Sequence, residues 1–226
     1  MNIPLQLKLK MGIYNIQING VSIKVRVVDD ESLVESGVDE LNSKLRMNLP
    51  IVGKSPRCEV SSTDHLLVGI DFKFQKQSTR PSLLLIYAKD FCLIVQLGRM
   101  STFPETLATF LRNKSKCFVG FKIGSKFSSL INHSFFHLGK SVCSTVRNGV
   151  EICELAAMVL KKPALQKCGG LLELAREIGF DMKEAVNMNK ENPDWSALCF
   201  SPEEVKYALD EAYNCYQMGK KLLSML

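Results

Sequence analysis

Residues 13–28 read IYNIQINGVSIKVRVV, with apolar and polar positions alternating on both sides of Asn19-Gly20. Ile16 and Ile18 precede the pair; Val21, Ile23, Val25 and Val27 follow it. A period of two marks a strand with one face turned inward, and Asn-Gly supplies the backbone freedom of a tight turn, so a β-hairpin is predicted. From about Glu31 to Leu45 the period lengthens. Leu33, Val34, Val38, Leu41 and Leu45 fall on one side of a helix. Residues 48–64 carry Pro50, Gly53, Pro56 and many Ser and Thr, and read as a linker. Three continuous apolar runs follow: HLLVGIDFKF (65–74), SLLLIY (82–87) and FCLIVQL (91–97). Runs of this kind, separated by turn residues, predict a meander of strands buried on both faces.

Thr102, Pro104 and Glu105 open a helix that carries Leu107, Phe110 and Leu111. CFVGF (117–121) is a fourth strand candidate, and Ser125 to Phe136 is predicted helical. VEICELAAMVL (150–160) begins extended and becomes a helix, and GGLLELAREIG (169–179) is a helix ended by Gly179. Ser201-Pro202-Glu203-Glu204 is a capping box with proline at the first helical position. Val205, Ala208, Leu209, Ala212, Tyr216 and Leu223 then recur at helical spacing. Tyr207 and Glu211 are four apart, so they share a face of that last helix. Strands, helix, strand and further helices in this order predict an α/β arrangement around one sheet. Residues 1–64 form a hairpin, helix and linker ahead of a main domain at 65–226.

Composition adds an expected location. At 46% hydrophobic and 23% charged residues, the chain of 226 has the makeup of a globular domain able to bury a core. Its eight cysteines lack the spacing of a zinc finger, and several lie in apolar runs, which predicts buried thiols in a reducing compartment. Lys8 and Lys10 are not followed by a long apolar stretch, and no segment has the length of a membrane span. An intracellular protein, of nucleus or cytoplasm, is expected. The net charge of +6 is concentrated in stretches such as Arg112, Lys114, Lys116, Lys122 and Lys126. Such clusters are compatible with phosphate contacts, though charge alone favours a solvated surface. Lys114, Lys116 and Lys122 are the candidates for contact with nucleic acid.

Four segments line up as an ordered set: VGIDFKF (68–74), CLIVQLGRM…PETLATFLRNKSKCFVGFKIGSKFSSL (92–130), CGGLLELAREIG (168–179) and SPEEVKYALDEAYNCYQMGKKLL (201–223). In order and spacing they resemble the 3′–5′ exonuclease domain of the DEDDy class, and within it the plant Werner-syndrome-like exonucleases. The resemblance covers about 65–224 and implies an RNase H-like fold; the preceding hairpin and helix resemble the N-terminal extension of those proteins. It also implies phosphodiester hydrolysis by two divalent ions, Mg²⁺ or Mn²⁺, about 4 Å apart. Four carboxylates would hold the ions, and a tyrosine would orient the attacking water.

Onto that pattern Asp71 matches the first acid, and Lys73 stands where the glutamate of an Asp-x-Glu motif belongs. Lys126 stands where an aspartate enters the helix after the Phe-Val-Gly strand. Tyr207 matches the tyrosine of Tyr-x-x-x-Asp, and Glu211 its aspartate with one extra methylene. Asp71 and Glu211 remain as candidate metal ligands, with Asp71, Tyr207 and Glu211 as candidate catalytic residues. A unit charge about 4 Å from another is worth about 4 kcal/mol at an effective dielectric near 20, and a divalent ion about doubles that. Two ammonium groups therefore oppose metal binding, and can instead pair with Asp71 and Glu211 and fill the cavity. The expectation is weak or absent Mg²⁺ or Mn²⁺ binding.

Three functions follow: an exonuclease with an altered site; a non-catalytic binder of single-stranded RNA or DNA; and a partner subunit, in a homo- or hetero-oligomer with a related exonuclease, using the hairpin and the apolar helical face at 33–45. Other motifs carry less. His133 and His137 are four apart but lack a third ligand, Gly139-Lys140-Ser141 lacks the earlier glycine of a phosphate loop, and Trp195 is expected to pack.

Overall fold

The computed structural model describes residues 4, 7, 12–46, 66–132, 148–182 and 193–226. In chain order its elements are β1 (Ile13–Ile18), β2 (Val21–Val28), α1 (Glu31–Arg46), β3 (Leu67–Phe74), β4 (Pro81–Ala88), β5 (Phe91–Gln96), α2 (Glu105–Arg112), β6 (Cys117–Gly120), α3 (Ile123–Asn132), β7 (Gly149–Glu151), α4 (Ile152–Val159), α5 (Leu171–Ile178) and α6 (Pro202–Leu223). The strands form one mixed sheet in the order β1-β2-β5-β4-β3-β6-β7. β3, β4 and β5 are the antiparallel meander, while β6 runs parallel to β3 and β7 parallel to β6.

The hairpin is not a separate appendage. Asn19 and Gly20 take φ of +51° and +81°, the two positive values that a two-residue I′ turn needs. β2 then pairs in parallel with β5, so residues ahead of the linker complete the sheet. The apolar side of α1 is also committed. Leu33, Val34, Val38, Leu41 and Leu45 are buried in a cluster with Phe91, Leu93 and Val95 of β5. That face, expected to be available to a partner subunit, is spent on the protein's own core, because the both-sides-apolar strands need a helical layer on each side.

Two layers result. α1, α2 and α3 share a cluster with Val68, Ile70 and Phe72 of β3. α4, α5 and α6 share the other with Leu67, Leu83, Leu85 and Tyr87. β4 and β5 lie between the layers, and every residue of both strands is buried. Period-two alternation leaves Gly69, Asp71 and Lys73 on the α6 side of β3. Gly69 sets how near α6 comes: a Cβ placed there would lie 2.3 Å from the Ala212 carbonyl oxygen. The missing side chain brings the last helix against β3, one residue from Glu211.

α6 starts as the sequence predicts. Glu204 N–H donates to Ser201 Oγ at 3.2 Å, and Ser201 N–H donates to the Glu204 carboxylate at 2.7 Å. Gly179 ends α5 in the left-handed region, at φ +66°. Cys92, Cys153 and Cys215 are buried thiols, whereas Cys199 is exposed. Among the described residues no helix is long and apolar enough to cross a membrane. The linker at 48–64, the helical expectation past Asn132, Cys58, Cys143, His133, His137 and Gly139-Lys140-Ser141 lie outside the described residues.

Candidate functional site

Asp71, Lys73, Lys126 and Glu211 come from three elements and meet in one cluster. β3 supplies Asp71 and Lys73 on one face, α3 supplies Lys126, and α6 supplies Glu211. The Asp71 side chain is fully buried; those of Lys73, Lys126 and Glu211 are 14%, 16% and 25% exposed. Lys126 Nζ donates to Asp71 Oδ1 at 2.6 Å and also to Glu211 Oε1. Lys73 Nζ lies 2.7 Å from Asp71 Oδ2, a close ion pair without the alignment of a hydrogen bond, and 3.5 Å from Glu211 Oε2. Each ammonium therefore bridges both carboxylates. The result is a closed quartet with a formal charge of zero.

The titrating groups reflect this closure. Burial pulls the Asp71 carboxyl upward, but Lys73 and Lys126 outweigh it and hold the group below its usual value. Burial likewise lowers Lys73 and Lys126, and the attraction of Asp71 and Glu211 reverses it, so both ammonium groups are raised above the ordinary lysine value. Beside them, burial raises the Asp210 carboxyl, against the pull of Lys73.

The signs fix the expected pH behaviour. A carboxyl with a depressed folded pKa contributes stability above its unfolded value near 3.9, lost as pH falls through the folded one. Lysines raised on folding contribute in full below about 10.4, and that share is lost as pH rises through their folded values. The quartet is thus expected to stabilise the protein evenly from about pH 5 to 9 and to lose its grip outside that window. Thermal unfolding against pH checks this: in Asp71→Asn the acid-side decline attributable to this carboxylate disappears, and an unchanged acid limb would refute the assignment.

Tyr207 lies one helical turn before Glu211, with Lys73 Nζ 5.9 Å from its ring centroid. Its ring also stacks on that of Trp195, with centroids 6.2 Å apart and planes at 5°. Trp195 is buried, and its backbone N–H donates to Gln75 at 2.9 Å, so it packs and thereby fixes the tyrosine. Lys114, Lys116 and Lys122 are not brought together. β6 runs between them, leaving Lys122 at the quartet end of the strand and Lys114 and Lys116 at the other.

Glu151 is the contributor that sequence reasoning missed. Its carboxylate accepts from the Lys122 and Ile123 N–H groups at 2.8 and 2.9 Å, while Lys122 sits at φ +53°. These are free N–H groups of the first turn of α3, and satisfying them orients the helix that carries Lys126. Glu151 is 28 residues from Ile123, so no local motif announces the bond.

The donor set can be tested against a pair of divalent ions. Only Asp71 and Glu211 remain as acids at the four positions, and two ammonium groups occupy the space between them. Among the described residues no group of three or more His, Cys, Asp or Glu side chains converges as a metal site would require. The residues do not fit a two-metal centre.

The mixed sheet between two helical layers has a counterpart of the same fold among solved structures. Escherichia coli RNase D, an exoribonuclease involved in structured RNA processing, superimposes with a TM-score of 0.59 at 11% identity, over 89% of this chain and 44% of RNase D. The EXD2 exonuclease domain soaked in Mn and Mg aligns at 21% identity over 89% of this chain and 90% of that domain, with a TM-score of 0.46. The same domain soaked in Mg and dGMP aligns at 21% identity over 88% and 89%, with a TM-score of 0.45. No family model matches the chain, and no curated protein matches it in sequence.

Proposed function

We propose that the chain is a DEDDy-type 3′–5′ exonuclease relative whose two-metal centre has been replaced by ion pairs, and that it binds single-stranded nucleic acid without cutting it. The observation that carries this reading is the double bridging by Lys73 and Lys126 between Asp71 and Glu211. Hydrolysis in this family draws on ions that neutralise the attacking and leaving oxygens. Here the protein's own ammonium groups already neutralise the acids, so nothing draws a divalent cation in. Tyr207, stacked on Trp195 and with Lys73 near its ring, keeps the place of the water-orienting group, but on this reading has no metal-bound water to orient. The basic excess of +6, with the exposed Lys114 and Lys122, supports phosphate contact.

A second reading, partner subunit, is favoured by β1. Its six residues, IYNIQI, carry no charge, and among the described residues it pairs only with β2. Edge strands without charge, proline or bulge are open to strand addition.

One assay tests both. End-labelled single-stranded RNA and DNA are incubated with the purified chain in Mg²⁺ or Mn²⁺, with retention and laddering scored and mass in solution followed by light scattering. Retention without laddering is expected, weakening steeply with salt. Laddering that disappears in Asp71→Ala overturns the proposal. Neither retention nor laddering, together with a dimer or larger assembly, selects the second reading.

A further inference from the structure

A cleft of about 590 Å³ opens between α1 and α2, on the layer opposite α6. It is lined by Leu45, Arg46, Leu66, Phe110 and Lys116, with neutral polar groups such as Thr109 and Asn113. Lys116 is the unexplained member. It is only 8% exposed, yet among the described residues its ammonium has no carboxylate, carbonyl or hydroxyl at bonding distance. What it touches is the Phe110 ring, 4.6 Å to the centroid. Its stem is buried, while its ammonium keeps access to the cleft and can take an anion from solution. Burial and the neighbouring Arg46 guanidinium both push its ammonium below the ordinary lysine value, so the local field favours an anion. Two acids, Asp39 and Glu105, also line the cleft, and neither pairs with Lys116. Glu105 is paired to Arg112 at 2.8 Å, and Asp39 is exposed.

The geometry points to a second ligand site, in which Lys116 and Arg46 receive the dianionic group of an organic phosphate monoester and Leu45, Leu66 and Phe110 take its organic body. Two cations side by side match a dianion better than a single carboxylate, and the volume is that of a small-ligand pocket. The site is separate from the quartet. Leu67 pairs with Cys117, so Lys116 lies level with Leu66, five residues along β3 from Asp71. At 3.3 Å per residue that is about 16 Å along the strand. The inference stands whether or not the quartet reading holds.

Calorimetric titration of the full chain at low ionic strength with adenosine 5′-monophosphate, glucose 6-phosphate and inorganic phosphate tests it. At least one ester is expected to bind with one-to-one stoichiometry and at least tenfold more tightly than inorganic phosphate. The preferred ester distinguishes a nucleotide from a sugar phosphate. Lys116→Met is expected to weaken binding tenfold or more, Arg46→Ala severalfold, and Lys116→Arg to retain it. Met keeps the buried apolar stem of Lys116, so the ligand-free melting temperature is expected to stay close to the parent's and loss of binding is not loss of fold; should Lys116→Met fail to fold, Arg46→Ala and Lys116→Arg decide. Ester-dependent protection from hydrogen exchange is expected on α1 and α2. Absence of ester binding, inorganic phosphate binding as tightly as both esters, undiminished binding by both Lys116→Met and Arg46→Ala, or protection on β3 and α6 instead, overturns the proposal.

Discussion

Lys126→Met is expected to lower the stability of the folded protein by about 3 kcal/mol, the lower end of what breaking a buried ion pair costs. The reason is what remains. Asp71 is fully buried and Glu211 three-quarters so, and with Lys126 removed a single ammonium, Lys73, faces two carboxylates. One negative charge is then uncompensated away from water. For a domain of this size the loss corresponds to a fall in melting temperature of about 6–12 °C. The complementary experiment removes the whole quartet. Asp71→Leu, Lys73→Met, Lys126→Met and Glu211→Leu together are expected to be close to neutral, because the desolvation cost of four charges disappears with their attraction. Urea denaturation of the two variants measures the contrast. A single Lys126→Met change within about 0.5 kcal/mol of the parent would mean that the cluster is solvated and that its closure is not a stability element.

Lys73→Glu with Lys126→Asp is expected to make the stability of the protein depend on a divalent metal. The change takes the four positions from two cations and two anions to four carboxylates. Without a divalent ion, like charges a few ångströms apart repel, at about 4 kcal/mol per pair for 4 Å and an effective dielectric near 20, as an upper bound. The metal-free variant should therefore melt well below the parent. Added Mg²⁺ or Mn²⁺ should restore it, by about 2.7 kcal/mol when the ion is at a hundred times its dissociation constant. The shorter side chains also vacate the space that the two ammonium groups now fill. The parent should show no comparable shift in the same titration. Melting curves with and without each ion decide: a metal-induced rise in the parent equal to that in the variant would remove the basis for a non-hydrolytic reading.

The two changes bracket one mechanism. Lysine at 73 and at 126 supplies internally the positive charge that a metal pair would supply from outside. This protects the fold against like-charge repulsion without an ion and, on the proposed reading, leaves no place for the ion's chemistry. Neither lysine alone suffices, since each acid is bridged by both. A single reversion is thus expected to disturb stability more than it restores metal binding.

How much of this could be read from the chain alone depends on the range of the interactions. The hairpin turn at Asn19-Gly20, the capping box at Ser201, the Gly179 stop and the buried meander were legible because each is decided within a few residues, by backbone freedom, local hydrogen bonds or periodicity. The candidate cluster was legible only through the ordered resemblance of four segments; Asp71 by itself is an unremarkable strand aspartate. What lay beyond the sequence was long-range. The parallel docking of β2 on β5, the Glu151 hold on α3 and the burial of the α1 apolar face all join residues distant in the chain. Sequence determined which elements form and which residue types occupy the four key positions. Only the tertiary structure decided that both lysines turn inward to both acids, because charge pairing across three elements depends on angles and distances that no local pattern encodes.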